Sequence, residues 1–203
     1  MTMDYSLEDQ KLKFHPLNIF VSILLVGLSM LFIALTVAYV YSRFQNGLPA
    51  IQLPFIFIFN TGVLIFCSIL LNKAKIAFTK DDTKSFKTNL LSALLVSIIF
   101  LCLQTVGWKQ LYDNNIFINH SITASYVYVM SILHFIHVIG GIPFLLVFTI
   151  KSFNKLKEPI SVLIFFSDPY RRLQLKLLIK YWHFLDFLWI YLILFLYINY
   201  LLS

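Results

Sequence analysis

The chain has 203 residues, of which 60% are hydrophobic and 12% charged, and it carries a formal net charge of +7. A soluble domain of this length cannot hide so much apolar surface, so the composition excludes an ordinary globular fold. The basic excess reads as membrane topology and anionic-lipid contact, and nucleic acid is excluded as a partner.

The amino-terminal tail mixes Lys11 and Lys13 with Asp4, Glu8 and Asp9. No small-residue cleavage site follows the first apolar run, so a signal peptide is not expected and the first span is retained. A helix needs about 20 apolar residues to cross about 30 Å of hydrocarbon. Five runs meet that length, over approximately 17–41, 51–72, 88–108, 124–150 and 181–201. Period-2 alternation is absent, and backbone groups in lipid must pair internally, which selects helices over barrel strands. The expectation is an all-α integral membrane protein, a single domain over residues 1–203 with five transmembrane helices.

Basic residues orient the bundle. Two lie in the tail, five between the second and third spans (Lys73, Lys75, Lys80, Lys84, Lys87) and seven in the fourth connection (Lys151, Lys155, Lys157, Arg171, Arg172, Lys176, Lys180), against Arg43 and Lys109 on the other side. That places the amino terminus in the cytoplasm and the carboxyl terminus outside. Turn chemistry stands where connections are needed, at Asn46-Gly47-Leu48-Pro49 and Lys80-Asp81-Asp82. In the fourth connection Ile160 to Phe166 is apolar but too short to cross, and is expected at the membrane interface or against a partner subunit. Cys67 and Cys102 fall inside spans and are expected to pack as small apolar residues.

Two spans carry ionisable groups, which are costly in lipid and mark something the protein must do or hold. In the fourth, His134 and His137 share a face at i and i+3, followed by Gly140-Gly141, which admits a close helix neighbour, and by Pro143, which should kink the helix. In the fifth, Tyr181-Trp182-His183-Phe184-Leu185-Asp186-Phe187-Leu188-Trp189 sets an imidazole and a carboxylate three residues apart on one face. Haem or metal ligation by these histidines is the sharp functional reading. Depth opposes it, because at 1.5 Å rise per residue His137 lies about 21 Å from Lys151 and His183 about 5 Å from Lys180, both lysines marking one membrane face. The residues alone therefore favour His134, His137, His183 and Asp186 as a structural polar framework. Tyr181, Trp182 and Trp189 are then lipid or interface contacts, and Asn60-Thr61 an interhelical or interfacial polar pair.

The nonapeptide resembles the carboxyl-terminal signature of subunit III of haem-copper terminal oxidases, Tyr/Phe-Trp-His-Phe-x-Asp-x-x-Trp. His134-x-x-His137-Val138-x-x-Gly141 is similar to that family's His-Gly-x-His-Val-x-x-Gly element, with Phe135 where glycine is usual. Leu53-Pro54 followed by Asn60-Thr61, and Leu103-Gln104 with Trp108, resemble two earlier segments of the family in the same order. Together these landmarks cover about residues 17 to 201, and the five-helix length resembles the short bacterial form. Two departures bear on proton gathering: residues 16–42 contain no acid where the family commonly has a glutamate, and Gly107 stands where another is usual.

The resemblance implies a non-catalytic subunit of a cytochrome c oxidase in the aerobic respiratory chain, in a bacterial plasma membrane. Its partners would be oxidase subunits I and II, with phospholipid bound and membership of a larger respiratory supercomplex left open. Haems and copper would belong to those partners, and this chain would bind no metal. A quinol oxidase subunit III and a nitric oxide reductase accessory protein of the same fold family stay open as alternatives. So do a small transporter and a free-standing haem protein using the histidines directly.

Overall fold

The computed structural model describes residues 15–119, 121–156 and 158–202. Lys11, Lys13 and Lys157, which entered the charge count, lie outside them. Among the described residues there are six helices: α1 (Pro16–Gln45), α2 (Phe55–Thr79), α3 (Thr83–Asp113), α4 (Ile122–Lys155), α5 (Pro159–Ser167) and α6 (Pro169–Leu201). All but α5 are long and apolar enough to cross a membrane. The fold is an all-helical bundle of five such helices.

Local chemistry explains the ends. Pro16, Pro159 and Pro169 each open a helix, where the missing N–H is not needed. Asp82, Ser121 and Asp168 cap α3, α4 and α6 by accepting backbone N–H groups two or three residues on. The Ser85 hydroxyl and N–H both bond the exposed Asp82 carboxylate and hold it below the usual carboxylate range. At the other end of α1, Gly47 takes φ +60°, and Leu48 N–H reaches back to Arg43 O at 3.1 Å.

The observed helices outrun the minimal membrane spans. α6 begins at Pro169, well before residue 181, so much of the expected cytoplasmic connection is helix. Its opening turns bury Leu173, Leu175, Leu178 and Ile179 while Arg172, Lys176 and Lys180 stay exposed, an amphipathic extension beyond the purely apolar run. At its start α2 is shorter than the apolar run suggests, because Pro54 sets an extended entrance and Ile51 to Leu53 lie outside the helix. α4 continues as helix through Pro143, which faces outward.

α2 and α3 form the most extensive pair, joined by the tight turn at Asp81, whose φ is +54°. α3 packs on α4, α4 on α1, and α6 runs against α1, α2 and α4. The core follows α6, where Trp182, Leu185, Leu188, Trp189 and Leu192 are all buried.

α1 is tied to α6 at three levels. Lys180 Nζ donates to Ser22 Oγ at 2.7 Å, Thr36 Oγ1 and Tyr191 Oη are 2.9 Å apart, and Arg43 closes the far end. The Arg43 guanidinium is buried and donates to Leu48 O (3.3 Å), Asn199 O (2.9 Å) and Asn199 Oδ1 (3.2 Å), placing a cation at the carbonyl end of α6. Arg43→Leu should therefore loosen this end by about 1–3 kcal/mol, the scale of hydrogen bonds to a charged group. Hydrogen exchange checks it: amides of Asn199 to Leu201 should exchange faster while the centre of α6 is unchanged.

Candidate functional site

The four ionisable groups of the polar framework do not form one network. His183 and Asp186 lie on the α2 side of α6, while His134 and His137 lie on α4.

His183 is held by both ring nitrogens. Nδ1 is 2.6 Å from Ser68 Oγ and Nε2 is 3.1 Å from Asn72 Oδ1, residues one helical turn apart on α2. With Nε2 donating to the amide oxygen, a neutral ring leaves Nδ1 to accept the Ser68 hydroxyl; a protonated ring donates at both positions. Asp186 Oδ2 stands 3.9 Å from His183 Nδ1, and the side chain is nearly sealed, at 4% residue exposure. Among the described residues neither carboxylate oxygen makes a well-formed hydrogen bond, although the His183 ring and the Ser68 hydroxyl both bear on it. A carboxylate in this position depends on His183 and the Ser68 hydroxyl for compensation, because lipid and apolar side chains supply none. Beside it Cys67 is buried, its Sγ 3.4 Å from Ser97 Oγ. Cys102, in contrast, is exposed on α3.

His134 sits in an aromatic box. Its ring centroid is 4.8 Å from that of Trp189 and 5.8 Å from that of Phe100, and Trp189 also stacks on Phe57 at 6.1 Å. Both His134 nitrogens lack a hydrogen-bond partner among the described residues. His137 is separately engaged: its Nδ1 lies 2.6 Å from Leu133 O, and its own carbonyl accepts the Tyr181 hydroxyl at 2.9 Å. The three imidazoles therefore do not converge on a shared space that a haem or metal ion would fill. Among the described residues no three His, Cys, Asp or Glu side chains cluster as metal ligands.

Several expectations about position need correction. Trp182 and Trp189, read as lipid or interface residues, are 0% and 1% exposed within this chain. The reason is that α6 has helices on several sides, so even its bulkiest side chains are covered. Asn60 is likewise interior, donating from Nδ2 to Gln104 Oε1 at 3.1 Å and to Phe100 O at 3.3 Å, which ties α2 to α3. Thr61 is half-buried and donates to Phe57 O of its own helix. Tyr181 remains half-buried at the α4 seam. Gly107 has a steric explanation: a Cβ there would meet Phe57 Cε2 at 3.1 Å and Ile56 Cγ2 at 3.3 Å, so the α2–α3 contact leaves no room for a carboxylate side chain without rearrangement.

Nothing in the sequence marks Ser68, Asn72 or Asn199, and Arg43 stands out there only as a charge at a span end. A lone Ser or Asn in an apolar run is common, and only the register of α2 against α6 makes the first two matter.

A family model for cytochrome c oxidase subunit III matches residues 13–200. The chain belongs to that family. Among its subunit III relatives, a cytochrome c oxidase subunit 3 from Oryctolagus cuniculus is 24% identical over 147 residues, covering 72% of this chain and 50% of the relative. One from Trypanoplasma borreli is 32% identical over 109 residues, covering 52% of this chain and 34% of the relative. The chain thus spans half or less of the length of these relatives in the matched regions. Both relatives are eukaryotic. Family membership and five helices of spanning length make this subunit III homologue an integral membrane protein.

Proposed function

We propose that this chain is the non-catalytic subunit III of a proton-translocating haem-copper oxidase of the aerobic respiratory chain, with cytochrome c as electron donor. In this reading it packs against the catalytic subunit beside subunit II, and those partners hold the haems and copper. It binds phospholipid and supports proton uptake and stability under turnover. Its amino terminus faces the cytoplasm of a bacterial cell, in keeping with the basic residues of the α2–α3 turn and of the α4–α6 connection.

The observation that carries the proposal is the family match along residues 13–200. The geometry supports it: both ring nitrogens of His183 are taken by Ser68 and Asn72, Nδ1 of His137 by Leu133 O, and His134 is packed between the Trp189 and Phe100 rings. Such a set suits internal bracing better than cofactor capture. For the proton-uptake part, Asp186 is the buried acid among the described residues, where residues 16–42 and position 107 lack the glutamates usual in the family.

Affinity purification of the native complex, with its optical spectrum and subunit composition, tests the reading. Expected are haem bands together with the catalytic and copper-bearing subunits, and no haem band from the isolated chain. Iron bound by the isolated chain, or recovery of the chain without oxidase subunits, would defeat it.

A further inference from the structure

The short helix α5 is apolar on two opposite faces, and the bundle covers one of them. Val162, Phe165 and Phe166 turn inward. The Phe166 ring lies 5.1 Å from Phe78 and 5.8 Å from Phe86, which flank the α2–α3 turn. On the other face Ile160, Leu163 and Ile164, at i, i+3 and i+4, are 75%, 69% and 65% exposed. Similar exposure on the long helices is explained by the hydrocarbon they cross. It is not so explained here, because nine residues rise only about 14 Å and cannot span.

Position and charge say what covers this face. Phe78 is the penultimate residue of α2 and Phe86 lies in the first turn of α3, so their contacts place α5 beside the α2–α3 turn, at the end of both spanning helices that carries Lys80 and Lys84. Exposed Lys155 and Arg172 stand on either side of α5 in the chain, with Lys176 one turn further along α6 and Lys80 in the adjoining turn. Arg171 is already engaged, its Nε 3.7 Å from Asp168 Oδ2 and its guanidinium over the Phe165 ring. An apolar stripe with exposed cations around it matches an anionic headgroup layer: the acyl region takes the aliphatic side chains and phosphates take the ammonium and guanidinium groups.

We infer that α5 is an interfacial foot, seated in the bilayer through Ile160, Leu163 and Ile164 and selecting anionic phospholipid through Lys155 and Arg172. The inference rests on the membrane-spanning reading of the chain and not on which complex it joins.

The full chain, carrying Cys102→Ser and one added cysteine at Leu163, Ile164 or Lys80, is spin-labelled in bilayers of equimolar phosphatidylglycerol and phosphatidylcholine. Labels at 163 and 164 should be reached by lipid-soluble oxygen in preference to an aqueous nickel chelate, and the label at 80 should show the reverse. Equal nickel access at all three positions overturns the inference, as does shielding of 163 and 164 from both reagents, which marks a protein in the lipid's place. In a second measurement the chain is extracted from the same bilayers and its retained lipid is counted. Lys155→Gln with Arg172→Gln should lower the phosphatidylglycerol-to-phosphatidylcholine ratio by up to about fivefold per charge. These side chains are exposed, so folding is not at risk, and an unchanged ratio overturns the lipid selectivity. Co-purification with oxidase subunits is read separately, so failure of the functional assignment and failure of this inference cannot be confused.

Discussion

Gly141→Leu is expected to destabilise the chain in detergent by about 1–3 kcal/mol, the range for overpacking a tight contact, while Gly140→Leu leaves its stability unchanged. The two glycines are adjacent, yet they meet different surroundings. A Cβ on Gly141 would lie 2.8 Å from Tyr181 Cε1 and 3.5 Å from Trp182 Cζ2, whereas one on Gly140 meets nothing within 4 Å. Tyr181 cannot yield cheaply, because its hydroxyl is anchored on His137 O at 2.9 Å and its ring lines the α4–α6 seam. A larger side chain at 141 must either break that bond or separate the helices. Unfolding of the two variants in a denaturing detergent titration gives the comparison. Equal stability of both would show that the seam is looser than its geometry implies.

His183→Ala should cost about 1–3 kcal/mol, and Asp186→Leu in the same chain should restore most of it. The single change removes the bonds to Ser68 and Asn72 and leaves the sealed Asp186 carboxyl without its ionisable partner, only the Ser68 hydroxyl remaining nearby. Part of the imidazole is left uncovered by the chain, one turn from the exposed Lys180, so the loss stays below that of a fully buried ion pair. Removing the carboxyl as well replaces an unsatisfied acid with an apolar side chain of similar size, which buried sites tolerate well. By the same logic Asp186→Leu alone is mild for folding, since His183 keeps both α2 partners. A weakened hold of that single variant on the proposed oxidase complex would then report a role in assembly or turnover. A double-mutant cycle on the isolated chain, with subunit stoichiometry measured in the complex, separates the two effects. Simple additivity of the two substitutions would contradict a coupled pair.

These predictions divide along what could be read before the fold was known. The i, i+3 relation of His183 and Asp186 is a property of one helix, and the 3.9 Å approach of their side chains follows from it. The partners of His183 were illegible, because Ser68 and Asn72 lie 115 and 111 residues away. Gly140-Gly141 announced a close approach without saying which glycine makes it. The tryptophans show the same limit: aromatic residues near a span end suggest a lipid belt, but the central position of α6 turns Trp182 and Trp189 inward.

The amino-acid order alone determined that the chain is helical, apolar and built to cross a membrane five times, because spanning length and internal backbone pairing are properties of each segment by itself. It also located the ionisable groups whose burial needs a reason. Only the tertiary structure decided which faces of those helices meet, and hence that His134 is boxed by aromatic rings, that His183 bridges to α2, and that Arg43 closes the end of α6. Helix faces in an apolar chain are nearly alike in hydrophobicity, so their choice of neighbour depends on close packing and a few polar contacts between segments far apart in the chain.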